Sequence, residues 1–179
     1  MRRWLIGIAL AWIAPAFVAV SSWAQDANPT GTDYVLSDSA IYRSGCFGPC
    51  LCPVLQAPVK GSLRLTATGF DGLFNTFDLS DVNWAVNVGG SKLRISGAGQ
   101  YKLGGEFALL QQLELDLAIE GNPVQHFDSG LVPAGTVAFP FISVVVSMNH
   151  LFCHDTVVTV VAALGPAGEI LIERDAALR

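Results

Sequence analysis

Charge is what this chain most lacks: Asp, Glu, Lys and Arg make up 14% of its 179 residues, against a hydrophobic share of 51%. Disordered tails, coiled coils and nucleic-acid arms all need a much higher density of charge, so the composition excludes them. Histidine is sparse too, at three residues, and no Gly-x-Ser-x-Gly elbow offers a nucleophilic serine. No stretch carries a convincing helical period, and no fixed-length repeat occurs. Residues Arg174 to Arg179 carry no apolar tail.

What is there begins with a leader. Arg2 and Arg3 precede an apolar run from Trp4 to Val20, and the small residues Ser22 and Ala24 follow it with the spacing of a signal-peptidase site. Residues 1–24 therefore read as a cleaved secretory signal, with a retained membrane anchor as the rival. Pro15 and the small-residue exit favour cleavage. No Ser or Thr precedes the arginine pair as a twin-arginine address would want, and no cysteine closes the run to accept a lipid. Cleavage removes two of the ten basic residues and none of the 15 acidic ones, so the net charge moves from −5 to 8 − 15 = −7. A chain this acidic is repelled by nucleic acid and by anionic lipid headgroups. A secreted or periplasmic location is expected, with no membrane span after cleavage and no partner identified.

The mature part divides into a loose polar lead-in over 25–32 and one all-β domain over 33–179, long enough for a single core. Leu63, Leu65 and Ala67 alternate with polar neighbours, and Val82, Trp84, Val86 and Val88 do the same before a Gly89-Gly90 turn, beyond which Leu93 and Ile95 resume the pattern. Past a second turn at Gly104-Gly105, Leu113, Leu115, Leu117 and Ile119 face one way while Gln112, Glu114, Asp116 and Glu120 face the other. A helix would drive those acids into the core, so the period predicts a strand. Phe139 to Met148 and Thr156 to Ala163 are dense in Val, Ile, Phe and Thr and predict strands buried on both faces. A last strand is expected over Glu169 to Glu173. The sum is about eight or nine antiparallel strands, arranged as a sandwich or a barrel.

The distinctive local signal is cysteine. Cys46, Cys50 and Cys52 fall within Gly45-Cys46-Phe47-Gly48-Pro49-Cys50-Leu51-Cys52-Pro53, and Cys153 lies about a hundred residues later. Four cysteines in an exported chain predict two disulfides. A Cys50–Cys52 bridge would close a strained small ring, so one cysteine of the cluster is expected to reach Cys153 while the other two bridge locally. Two pairings remain open on that ground. The alternative is a copper or zinc site built from Cys46, Cys50, Cys52 and Cys153 with His150 or His154, because thiolates beside imidazoles select such metals. Oxidised cysteines cannot serve as those ligands, and no cofactor is expected on the leading reading.

Other candidates carry less chemistry. His154-Asp155 could be drawn into a triad, but neighbours on a strand point to opposite faces. Asp71, Asp78 and Asp81 match no calcium loop and read as turn caps. Trp84 sits on the inward side of its strand and reads as core. Gln125 to Gly130, flanked by Pro123 and Pro133, reads as a polar connection, and His126 and Asp128 within it join Phe47, Gly48 and Pro49 as a candidate binding surface.

The Gly45–Pro53 stretch, with His126-Phe127-Asp128-Ser129-Gly130-Leu131, resembles uncharacterised exported bacterial proteins that share a Cys-Phe-x-Pro-Cys-x-Cys-Pro motif. The resemblance runs from about Asp33 to the C-terminus and implies bacterial export, with no activity attached. Asp33-Tyr34-Val35-Leu36 and Gly61-Ser62-Leu63-Arg64-Leu65 are similar to the YceI-like lipid-binding barrels, although that family's His-Ser pair and second His have no counterpart here. That likeness adds an apolar ligand inside a barrel as a third expectation. The leading one is a non-catalytic exported β domain stabilised by disulfides, with a structural or binding role.

Overall fold

The computed structural model describes residues 31–136 and 138–165; the expected leader, most of the 25–32 lead-in and the strand expected over 169–173 lie outside the described residues. Ten antiparallel strands follow one another: β1 (Thr32–Leu36), β2 (Ile41–Phe47), β3 (Leu55–Phe70), β4 (Phe74–Val88), β5 (Ser91–Gly104), β6 (Leu110–Ile119), β7 (Gln125–Asp128), β8 (Val132–Pro133), β9 (Ile142–Ser147) and β10 (Cys153–Leu164).

Their pairing closes a barrel. Neighbours run β2–β3–β4–β5–β6–β7–β9–β10, and β10 returns to β2, so the ring has no free end. β1 is the continuation of β2: each lies between β10 and β3, β1 opposite Leu164 and Leu63 at Tyr34, and β2 opposite Thr159 and Pro58 at Ile41. A tight turn at Ser37–Ala40 interrupts them, with the Ala40 N–H donating to the Ser37 carbonyl at 3.0 Å. β7 and β8 likewise share β6. Eight staves result. Of the two arrangements expected, the barrel is the one found, its ring closed between β7 and β9 by the single register pair Asp128↔Ser147.

The period-two pattern explains why the ring closes around a core. Leu113, Leu115 and Leu117 on β6 and Val82, Trp84 and Val86 on β4 are buried, while Glu114 and Asn83 between them turn outward. Tyr34, Tyr101, Trp84 and Phe127 are among the largest fully buried side chains. Apolar inside and polar outside is the inverse of the alternation in a membrane-spanning barrel. No helix among the described residues is long and apolar enough to cross a membrane. Tight curvature depends on Gly97 and Gly99 in β5, where an added Cβ would overlap the carbonyls of Asp116 and Glu114 on β6.

Two expectations need correction. The strand expected over Phe139 to Met148 is shorter, Ile142–Ser147, and only one face is buried: Ile142, Val144 and Val146 point inward while Val145 is 40% exposed. A barrel strand has an outer face, and solvent takes it here; β10, by contrast, buries Val158 and Val160 together with Val157 and Val161. Gln125 to Asp128 is a strand, with Phe127 turned into the core. Finally, β1, β2 and the first half of β3 precede Leu63, where the alternation first became legible.

Candidate functional site: the stapled cap

At the end of the barrel where β2 finishes and β10 starts, two loops meet. Gly45 adopts φ of 154°, and a Cβ there would overlap the Pro53 carbonyl, so this glycine lets the chain fold back against β2. The fold-back brings Cys52 to Cys46, and a disulfide joins them with Cα atoms 5.1 Å apart. The tip of the loop turns at Gly48, φ 63°, and carries Cys50 to Cys153, whose Cα lies 4.9 Å away. Cys153 pairs with Phe47 and His154 with Cys46 in the β10–β2 register, so the second disulfide clamps the loop onto strands that are already neighbours.

The facing loop, residues 148–152, is organised by one buried carboxylate. Asp155, 2% exposed, accepts the N–H groups of Met148 and Asn149 on Oδ1 at 3.1 and 3.0 Å, and that of Leu151 on Oδ2 at 2.7 Å. His150, Leu151 and Cys153 have φ between 48° and 60°, a conformation that non-glycine residues hold only when their surroundings impose it. Asp155 and the disulfide supply that constraint, and the Asn149 amide adds a bond to the Phe152 carbonyl at 2.6 Å.

The two loops hold apolar side chains out in water. Leu51 is 99% exposed and Phe152 59%, with Val54, Leu55 and Leu151 beside them in sequence also exposed. Sequence reasoning singled out the cysteines, weighed Asp155 only as a triad partner of His154, and assigned no role to these apolar side chains. The signal available was placement: Leu51 stands between two half-cystines and Phe152 directly before a third.

The residues expected to act together are divided. Phe47, Gly48 and Pro49 belong to the cap, with the Arg43 guanidinium 5.7 Å from the Phe47 ring centroid. His126 and Asp128 lie on β7, separated from β2 by β9 and β10, so they do not share that surface. His126 Nδ1 is 2.8 Å from Asp116 Oδ1 on β6, and this bond raises the imidazole above its ordinary pKa. Asp128 accepts from the Gly130 N–H at 2.8 Å and the Gln112 amide at 3.2 Å. His150 and His154 are exposed at the cap, but all four cysteines are spent in disulfides, and no group of three or more His, Cys, Asp or Glu residues able to hold a metal gathers among the described residues. Asp71 caps its turn, accepting the Leu73 and Phe74 N–H groups at 2.9 and 2.7 Å, and Asp81 pairs with Arg64 at 3.4 Å. Compared with protein families, curated proteins and solved structures, the chain matches none.

Proposed function

We propose that the chain is an exported, non-catalytic binding domain of a bacterium, and that it engages its partner through the stapled cap. One observation carries this reading: two disulfides clamp the paired loops that carry Leu51, Leu151 and Phe152, and all three side chains are exposed. Contiguous exposed apolar surface marks sites of interaction, and pre-ordering a loop lowers the entropy lost on binding. Export is supported by the two disulfides, which persist in oxidising compartments, and by the Arg2 to Ala24 leader pattern.

The test uses an apolar fluorescent dye, anilinonaphthalene sulfonate, on the native protein and on the Leu51→Ser/Phe152→Ser double variant. Native protein is expected to enhance the dye's emission and the variant to give roughly half or less at an unchanged Tm. Equal emission from both proteins would overturn the assignment of the cap. Copper or zinc binding is the competing reading, and four free thiols with bound metal in freshly isolated protein would favour it. An apolar ligand inside the barrel needs a lined space of several hundred Å³, and large side chains such as Trp84, Tyr34 and Phe127 are fully buried in the interior.

A further inference from the structure

At the opposite end of the barrel from the cap, a cleft of about 160 Å³ is lined by Tyr101, Leu103, Leu109, Gln111, Phe139 and Phe141 among others. The geometry points to a binding site for one neutral aromatic ring that carries a hydrogen-bond donor, a ligand of the phenol or aniline class.

Size comes first. A cavity of roughly 150 Å³ holds a benzene molecule, so this cleft fits a single ring and excludes a lipid tail or a fused polycycle. The walls suit an aromatic. Phe139 lies nearly parallel to Tyr101, interplanar 14° with centroids 6.4 Å apart, and packs on Phe77 at 5.3 Å. Such faces prefer another ring in an offset or edge-on arrangement.

Polarity follows from counting valences. Two buried polar side chains border the space, Tyr101 at 1% and Gln111 at 3% exposure. The Tyr101 hydroxyl donates to Gln111 Oε1 at 3.1 Å, and the Gln111 amide nitrogen donates to the Ser143 carbonyl at 2.9 Å and the Pro133 carbonyl at 3.5 Å. Tyr101 has one hydrogen to give and Gln111 two, and these three bonds use all of them. Among the described residues no further donor reaches the Tyr101 oxygen or Gln111 Oε1, so lone pairs on both remain as acceptors. A ligand hydroxyl or amine can donate to them. A carboxylate or phosphate, which needs donors, finds none on either side chain and would also lose its hydration.

The network therefore selects by hydrogen count, independently of the cap. The test is a two-dimensional amide NMR titration of the native protein with phenol, anisole and benzoate, repeated on Leu109→Trp, which fills the cleft from an exposed position. Phenol is expected to shift resonances of Tyr101, Gln111 and Phe139, to bind about fivefold more tightly than anisole, which lacks the donor, and to lose binding in Leu109→Trp. Benzoate is expected to leave those resonances unmoved. Absence of phenol shifts at these residues, benzoate binding as well as phenol, or full binding by a folded Leu109→Trp would each overturn the proposal.

Discussion

Asp155 illustrates how much one side chain can decide. It holds three N–H groups of the 148–152 loop; replacing it with alanine takes their shared acceptor from Asn149 and Leu151, while the Met148 N–H keeps the Thr156 carbonyl at 3.2 Å, at a cost of about 1–3 kcal/mol for an unsatisfied group, less where water reaches it. Asp155→Ala is expected to lose about 1–3 kcal/mol in urea denaturation and Asp155→Asn less, since one oxygen remains; equal loss from both, or none, would contradict the role. His126 gives a pH signature. Its hydrogen bond to Asp116 raises its pKa above 6.5, so the pair's contribution is fully present below the unfolded-state value and fades as pH climbs through the folded one. Both side chains are largely exposed, which keeps that contribution small. An NMR titration of His126 is expected to give a midpoint above 6.5 that falls back in Asp116→Asn. Burial, with a smaller effect from Tyr34, pushes Tyr101 up to about 12. A phenol with a raised pKa stabilises fully below its unfolded value of 10.0, and that stability drains away as pH rises toward 12. Absorbance titration should show Tyr101 ionising late, together with alkaline unfolding.

At the scale of elements, the two disulfides differ in reach. Cys50–Cys153 spans 103 residues and Cys46–Cys52 only 6. Loop-closure entropy gives about 4.7 kcal/mol for a ring near 100 residues and about 2 kcal/mol for the short one. The Cys50→Ser/Cys153→Ser pair is therefore expected to lower stability in denaturant by more than Cys46→Ser/Cys52→Ser does; the reverse order would contradict the account. Strands whose outer face is polar were legible from period alone: Leu113 to Ile119 and Val82 to Val88 carry inside and outside in alternate letters. β2 was not, because Ser44 and Gly45 break its alternation, and β7 was not, because Gln125, His126 and Asp128 leave one apolar residue in a four-residue strand. Excluding the Cys50–Cys52 ring left two pairings that spacing could not separate; the fold-back at Gly45 decides between them by setting Cys52 against Cys46.

For the molecule as a whole, one arrangement links fold to role: a closed barrel with an apolar interior leaves its ends as the places where loops can specialise, and here one end is clamped covalently around exposed Leu51 and Phe152. Disulfides persist in oxidising compartments, and under the proposed export the Arg2 to Ala24 pattern would be the route to one. Intact-mass spectrometry of the protein recovered from the periplasm, under denaturing and non-reducing conditions, tests both together. The account predicts a chain beginning at Gln25, lighter than its fully reduced form by the four hydrogens of two disulfides, with peptides joined Cys46–Cys52 and Cys50–Cys153. A chain still carrying residues 1–24, or one with four free thiols, would contradict it.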